Sequence, residues 1–95
     1  GTRRGPVVYY YATSPYGRQM AELIADELRE IYPDPSKVQV LPTTTLRELR
    51  RTNAPSALVE VAYHDNSEDA TWIRGNIDEI GKALSNAVAA YFGLR

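Results

Sequence analysis

The chain reads as an α/β fold, a mixed β-sheet flanked by helices. Segments rich in β-branched and aromatic residues alternate along it with segments whose apolar residues recur at helical spacing. One of the strand segments, Ala57 to Tyr63, is almost continuously apolar, as a strand covered on both faces would be. Its 95 residues predict a single unit spanning 1–95, because a second core becomes usual only in chains longer than about 100–150 residues.

Gly5-Pro6 opens the first strand, expected over residues 6–12, where Val7-Val8-Tyr9-Tyr10-Tyr11 suits a pleated, half-buried surface. Ser14 then stands at a helix N-cap with Pro15 at the first helical position, and Met20, Leu23, Ile24, Leu28 and Ile31 form the apolar stripe. Tyr32-Pro33-Asp34-Pro35 stops that helix. Val38-Gln39-Val40-Leu41 predicts a short strand ending at Pro42, and Leu46 to Arg50 fits either a helical turn or a strand. After Asn53-Ala54-Pro55 comes the apolar strand Ser56 to Tyr63. Asn66, with Glu68 and Asp69 behind it, opens a helix that is expected to end at Gly75 as its C′ residue. The last helix runs from Asn76 to Phe92, with Ile77, Ile80, Leu84, Ala87, Val88 and Tyr91 expected on the buried face and Gly93 closing it.

Composition narrows the function. Eleven Lys and Arg against twelve Asp and Glu give a net charge of −1, which creates no field for nucleic acid or anionic lipid, so no nucleic-acid partner is expected. No apolar run approaches the roughly 18 residues of a transmembrane helix, and no signal peptide heads the chain. Cysteine is absent, which removes disulfides, thiolate metal sites and cysteine nucleophiles.

Glu60 interrupts the apolar strand, and strand alternation puts it on the face of Leu58 and Ala62. A carboxylate there loses hydration and must be met by a cation, a metal or a proton, and burial raises its pKa towards the range of a general acid or base. Sites in open α/β sheets gather at the carboxyl ends of strands, and Glu60 stands in the second half of its own. The structural alternative is an ion pair with Arg47, Arg50 or Arg51. His64, the single histidine, could join Asp65 and Glu68 at a metal or hydrogen-bond within a strand–helix turn; no HExxH spacing supports the first. Tyr9, Tyr10, Tyr11, Tyr16 and Tyr63 with the arginine cluster could hold a sugar or nucleotide, or divide between core and solvated edge.

Ala54-Pro55-Ser56-Ala57-Leu58-Val59-Glu60-Val61-Ala62-Tyr63-His64-Asp65-Asn66, followed by Glu68-Asp69-Ala70-Thr71-Trp72-Ile73, resembles the zinc-dependent N-acetylmuramoyl-L-alanine amidases of bacterial cell-wall turnover. In that family a Pro-anchored apolar strand ends in a glutamate, and a short turn closes on an asparagine. The aromatic strand Val7 to Tyr11, the small-residue turn and the helix around Met20-Ala21-Glu22-Leu23-Ile24 are similar to the family as well, so the likeness covers nearly the whole chain.

The resemblance implies peptidoglycan as substrate, cleavage of the amide between N-acetylmuramic acid and the L-alanine of the stem peptide, and a cell-envelope or extracellular location. Zinc would polarise the carbonyl and activate water, with Glu60 as general base and proton shuttle. The family's zinc ligands, two histidines and a glutamate, would all lie upstream of Gly1, so this chain corresponds to the C-terminal half of the catalytic domain. His64 matches none of them. The chain alone is therefore expected to bind no zinc, to be inactive, and to be open to self-association through an exposed sheet edge. The alternative function is a non-catalytic amidase-like module that binds cell-wall glycopeptide or a protein partner through its Tyr and Arg surface.

Overall fold

Strand β1 (Val7–Tyr11) is the middle of the sheet, and the rest of the fold is arranged around it. The computed structural model describes residues 4–45, 57–60 and 66–93. Within them β1 pairs in parallel with β2 (Gln39–Thr43) and antiparallel with β3 (Leu58–Glu60), in the order β2-β1-β3. The sheet is mixed, as the sequence predicts. The continuation of the apolar strand to Tyr63 lies outside the described residues.

Helix α1 (Pro15–Arg29) makes the crossover from β1 to β2 and begins where its cap requires. Ser14 is extended, with φ −104°, and its Oγ accepts the Gly17 N–H at 2.9 Å. Pro15 occupies the first turn, where its missing N–H costs nothing. After Arg29 the chain turns through Tyr32-Pro33, and Asp34 caps a single 3-10 turn, Pro35–Lys37. Asp34 Oδ1 accepts the Ser36 hydroxyl at 2.6 Å and the Ser36 N–H at 3.2 Å. The hydroxyl bond comes first in holding the Asp34 carboxyl below the usual carboxylate range. Three residues are too few to show a helical period, so this turn is invisible to pattern.

Strand β2 does not end at Pro42, as the sequence suggests, but runs through it to Thr43. Pro42 sits opposite Tyr10. Proline is tolerated there because β2 is the outer strand of the described sheet, where a ladder donor facing away from β1 has no partner to lose.

One core unites the described sheet with the described α-helices. Val8 and Val38 are buried together with Met20, Ala21, Ile24, Ala25 and Leu28 of α1, and Tyr10, Val40 and Val59 pack against the cluster. These strand positions share a face by register, since Val8 pairs with both Val40 and Val59. From α2 (Ser67–Gly75) the cluster takes Trp72, and from α3 (Ile77–Tyr91) it takes Ile80, Ala83 and Ala87. The Trp72 ring meets Tyr32 edge to face at 4.9 Å, and its Nε1–H donates to the Ile31 carbonyl at 3.2 Å.

Two expectations for these helices are corrected. Gly75 is the last residue of α2 rather than its C′ residue, and Asn76 ends that helix by donating its Nδ2–H to the Trp72 carbonyl at 2.9 Å. The buried stripe of α3 is rotated from the expected one: Ile77 is 65% and Val88 45% exposed, while Ala83 is buried. Helix α3 packs along α1, and the buried residues of the pair include Ala21 and Ala25 on one helix and Ala83 and Ala87 on the other. Small side chains allow a close approach of the axes, which favours the alanine face over the more apolar Ile77–Val88 side. Gly93 closes α3 with φ +73°, as expected of a C′ glycine.

Candidate functional site

Glu60 is the last residue of β3 and stands opposite Val7, the first residue of β1. Leu58 is opposite Tyr9, so positions 58 and 60 share their sheet face with positions 7 and 9, away from the face of Val8 and Val59 that the helices cover. Because β3 runs antiparallel to β1, its carboxyl end meets the amino ends of β1 and β2. Glu60 stands at the end of the described part of its own strand, as the sequence suggests, and because that strand is antiparallel to β1 this places it opposite the amino end of β1. The carboxyl end of β1 instead opens onto a separate recess of about 300 Å³ lined by Tyr10, Ala12, Thr13, Ser14, Pro15 and Arg18.

The same end of the sheet as Glu60 carries a buried polar cluster. Asp69, in the first turn of α2, is 1% exposed. Its Oδ2 accepts the Gly5 N–H at 2.8 Å, and its Oδ1 accepts a short hydrogen bond from the Tyr32 hydroxyl. Arg4 donates from Nε to the Tyr32 oxygen at 3.2 Å, reaches Glu68 Oε2 from Nη1 at 3.0 Å, and lies over the Tyr32 ring at 5.6 Å. Burial first, and the bond to Asp69 second, push the Tyr32 hydroxyl above the ordinary phenol range. The bond to Tyr32 raises Arg4 in turn.

Local sequence explains how the cluster is built. Asn66 caps α2, its Oδ1 accepting the N–H groups of Glu68 at 3.0 Å and Asp69 at 3.1 Å. That fixes the first turn and leaves the Asp69 carboxylate to reach towards β1. Gly5 has φ +104°, and a Cβ there would stand 2.5 Å from the Lys37 carbonyl oxygen, so only glycine lets the start of β1 lie against this backbone. Tyr32 is carried past the end of α1 by the Pro33 turn. Sequence reasoning reads Asp69 only as a charge near a helix N-terminus; the available signal for more was an acid three residues past an Asn cap, in a chain with a Gly-Pro strand start.

Other candidate residues separate. Tyr9, Tyr10 and Tyr11 are half-buried on alternating faces of β1, and Tyr16 is exposed on α1. Arg47, Arg50, Arg51, Tyr63, His64 and Asp65 lie outside the described residues. Among the described residues no group of three or more His, Cys, Asp or Glu side chains could hold a metal ion. No helix among them is long and apolar enough to cross a membrane.

Among the described residues, a mixed β2-β1-β3 sheet with an α1 crossover and a helical layer on one face defines an α/β fold. The CwlD amidase from Clostridioides difficile, solved in complex with the GerS lipoprotein, matches it with a TM-score of 0.85 at 17% identity, over 99% of this chain and 49% of that one. The catalytic domain of the CD27L endolysin targeting Clostridia difficile matches with a TM-score of 0.79 at 25% identity, over 95% of this chain and 48% of that one. Residues 1–90 match the N-acetylmuramoyl-L-alanine amidase family, and the chain belongs to that family. It spans about half the length of the two solved structures. No curated protein matches it.

Proposed function

We propose that this chain is the C-terminal portion of the catalytic domain of a zinc-dependent cell-wall amidase, which cleaves the bond between N-acetylmuramic acid and the L-alanine of the stem peptide. The family match over residues 1–90 carries this reading. A cell-envelope or extracellular location and peptidoglycan as substrate belong to the same proposal.

Glu60 is the residue we assign to proton transfer. Hydrolysis of an amide needs a base to take a proton from the attacking water and an acid to deliver one to the departing nitrogen, and one carboxyl group can do both in turn. The backbone position favours this: the strand end is tied to the central strand by the ladder to Val7, which gives a precise mount.

The described residues do not fit a zinc ion. They offer no group of three donors, and Asp69, the buried carboxylate at this end of the sheet, has both oxygens engaged by Gly5 and Tyr32. The zinc ligands are therefore assigned to the part of the family domain upstream of Gly1. Metal analysis of the 95-residue chain is expected to find no stoichiometric zinc; about one ion per chain would contradict the assignment.

The test is cell-wall lysis and release of stem peptide by the full-length gene product, wild type against Glu60→Gln. Loss of cleavage in the variant supports the reading, and equal lysis by both removes it. Tight muropeptide binding by the wild type without turnover would favour the alternative, a non-catalytic amidase-like module that holds glycopeptide or a protein partner. Self-association of the chain through the outer sheet edge is tested by sedimentation equilibrium.

A further inference from the structure

We infer that the flank of α3 turned away from α1 is the docking surface for the half of the amidase domain that lies outside this chain, an inference that rests on the reading of the chain as one portion of that domain. Ile80, Ala83 and Ala87 face the core. At about 100° of rotation per residue, Glu79 and Asn86 lie on one side of that buried face, and Ile77, Val88 and Phe92 lie on the other. The first side belongs to α1, because Glu79 and Asn86 line a narrow recess together with Glu27 and Glu30 at the end of that helix. The second side therefore points away from α1. There Ile77 is 65%, Val88 45% and Phe92 63% exposed.

The chemistry of this flank is that of an interior. Ala83 to Phe92 carries no charge, and a helix that is apolar well beyond one stripe belongs between two neighbours rather than at a surface. Leu84, partly buried against the core, continues the flank between Ile77 and Val88. Leu84, Ser85, Val88 and Ala89 line an open recess of about 410 Å³. A contiguous apolar patch of this kind marks an interface.

The occupant follows from how much of the fold the chain spans. The CD27L structure is a catalytic domain, and this chain covers 48% of it; the CwlD chain is covered over 49%. About half of a catalytic domain of this fold therefore lies outside the matched part. Beside α3, one flank is taken by α1, so the apolar flank is the place left for a helix of the other half in the same layer. Ile77 and Val88, whose spacing predicts burial, are then buried in the complete domain. The 95-residue chain on its own tolerates a charge at Val88, and the complete domain does not.

The test is thiol labelling of the full-length gene product carrying Val88→Cys or Asn86→Cys, with a maleimide, at a concentration where sedimentation shows a monomer. Each site is read by peptide mass spectrometry, in native buffer and in urea. We expect Val88→Cys to react at least about tenfold more slowly than Asn86→Cys in native buffer and at the same rate in urea. Comparable native rates in the monomer overturn the inference. Protection seen only in a dimer also overturns it, because a second copy is then the occupant. A photo-reactive p-benzoyl-phenylalanine in place of Phe92 identifies what lies on the flank. The expected cross-link is within one polypeptide, to the family domain outside these 95 residues; a cross-link elsewhere, or none, removes the inference. Cell-wall lysis by Glu60→Gln is read separately. Protection at Val88→Cys with full lysis by Glu60→Gln removes the proton-transfer role and leaves the interface, whereas open labelling with loss of lysis removes the interface alone.

Discussion

The carboxylate of Asp69 accepts the backbone N–H of Gly5 at 2.8 Å, joining residues 64 positions apart in the chain. With Tyr32 on its other oxygen, this buried acid ties the residues leading into the first strand, the turn after the first helix and the start of the second into one joint. Removing it leaves a buried N–H and a buried hydroxyl without their acceptor. Asp69→Ala is expected to destabilise the fold by about 2–5 kcal/mol, because each stranded donor forfeits a charge-assisted bond. Asp69→Asn, which keeps one acceptor, should cost less. Urea unfolding followed by far-UV circular dichroism measures both, and equal stability of Asp69→Ala and wild type would refute the joint.

Tyr32 gives the joint a dependence on pH. Its hydroxyl is raised by burial first and by the Asp69 bond second, so the folded state disfavours the phenolate more than the unfolded chain does. A group with a raised folded pKa contributes stability that is fully present below its unfolded value, about 10 for tyrosine. The contribution is lost as pH rises from there through the folded value. Wild type is therefore expected to lose stability above about pH 10 more steeply than Tyr32→Phe. Parallel slopes in denaturant titrations across that range would show that the hydroxyl is not the group responsible.

Gly5 cannot be replaced cheaply. Its φ of +104° is a conformation that side-chain-bearing residues rarely adopt, and an added Cβ would meet Lys37 backbone at 2.5 Å. Gly5→Ala should cost about 2 kcal/mol or more, combining backbone strain with displacement of the 3-10 turn. Gly81, where a Cβ would meet nothing within 4 Å, is the contrast. Gly81→Ala in the middle of α3 should stabilise by roughly 0.5–1 kcal/mol, since alanine is the better helix former. Opposite signs in the two melting shifts are the expected result.

The face of α3 can be checked by charge. Val88→Lys sits at an exposed position and should stay within about 0.5 kcal/mol of wild type. Ala87→Leu, one residue away but fully buried, should cost about 1–3 kcal/mol by forcing α1 and α3 apart. Greater damage from Val88→Lys than from Ala87→Leu would mean that the helix presents its other side.

At the first helix the cap offers a simpler test. Ser14→Ala removes the acceptor of the Gly17 N–H and should cost about 0.5–2 kcal/mol. Ser14→Asp should hold most of that, because a carboxylate can accept the same bond. No loss of stability in Ser14→Ala would place the start of α1 elsewhere.

The sequence by itself determined what depends on neighbours a few residues apart. Ser14-Pro15 starts a helix, Pro33 and Gly93 end two, and Val7 to Tyr11 makes a strand, because capping bonds, fixed dihedrals and alternation are local. The unusual position of Glu60 in an apolar run was equally legible. Only the tertiary structure decided that β3 runs antiparallel to β1, which moves Glu60 to the amino end of that strand. It also decided that α3 turns its alanines inward and that Asp69 bonds Gly5 and Tyr32. Strand direction, helix rotation and the partners of a buried acid depend on surfaces brought together from distant parts of the chain, and no local period or propensity encodes them.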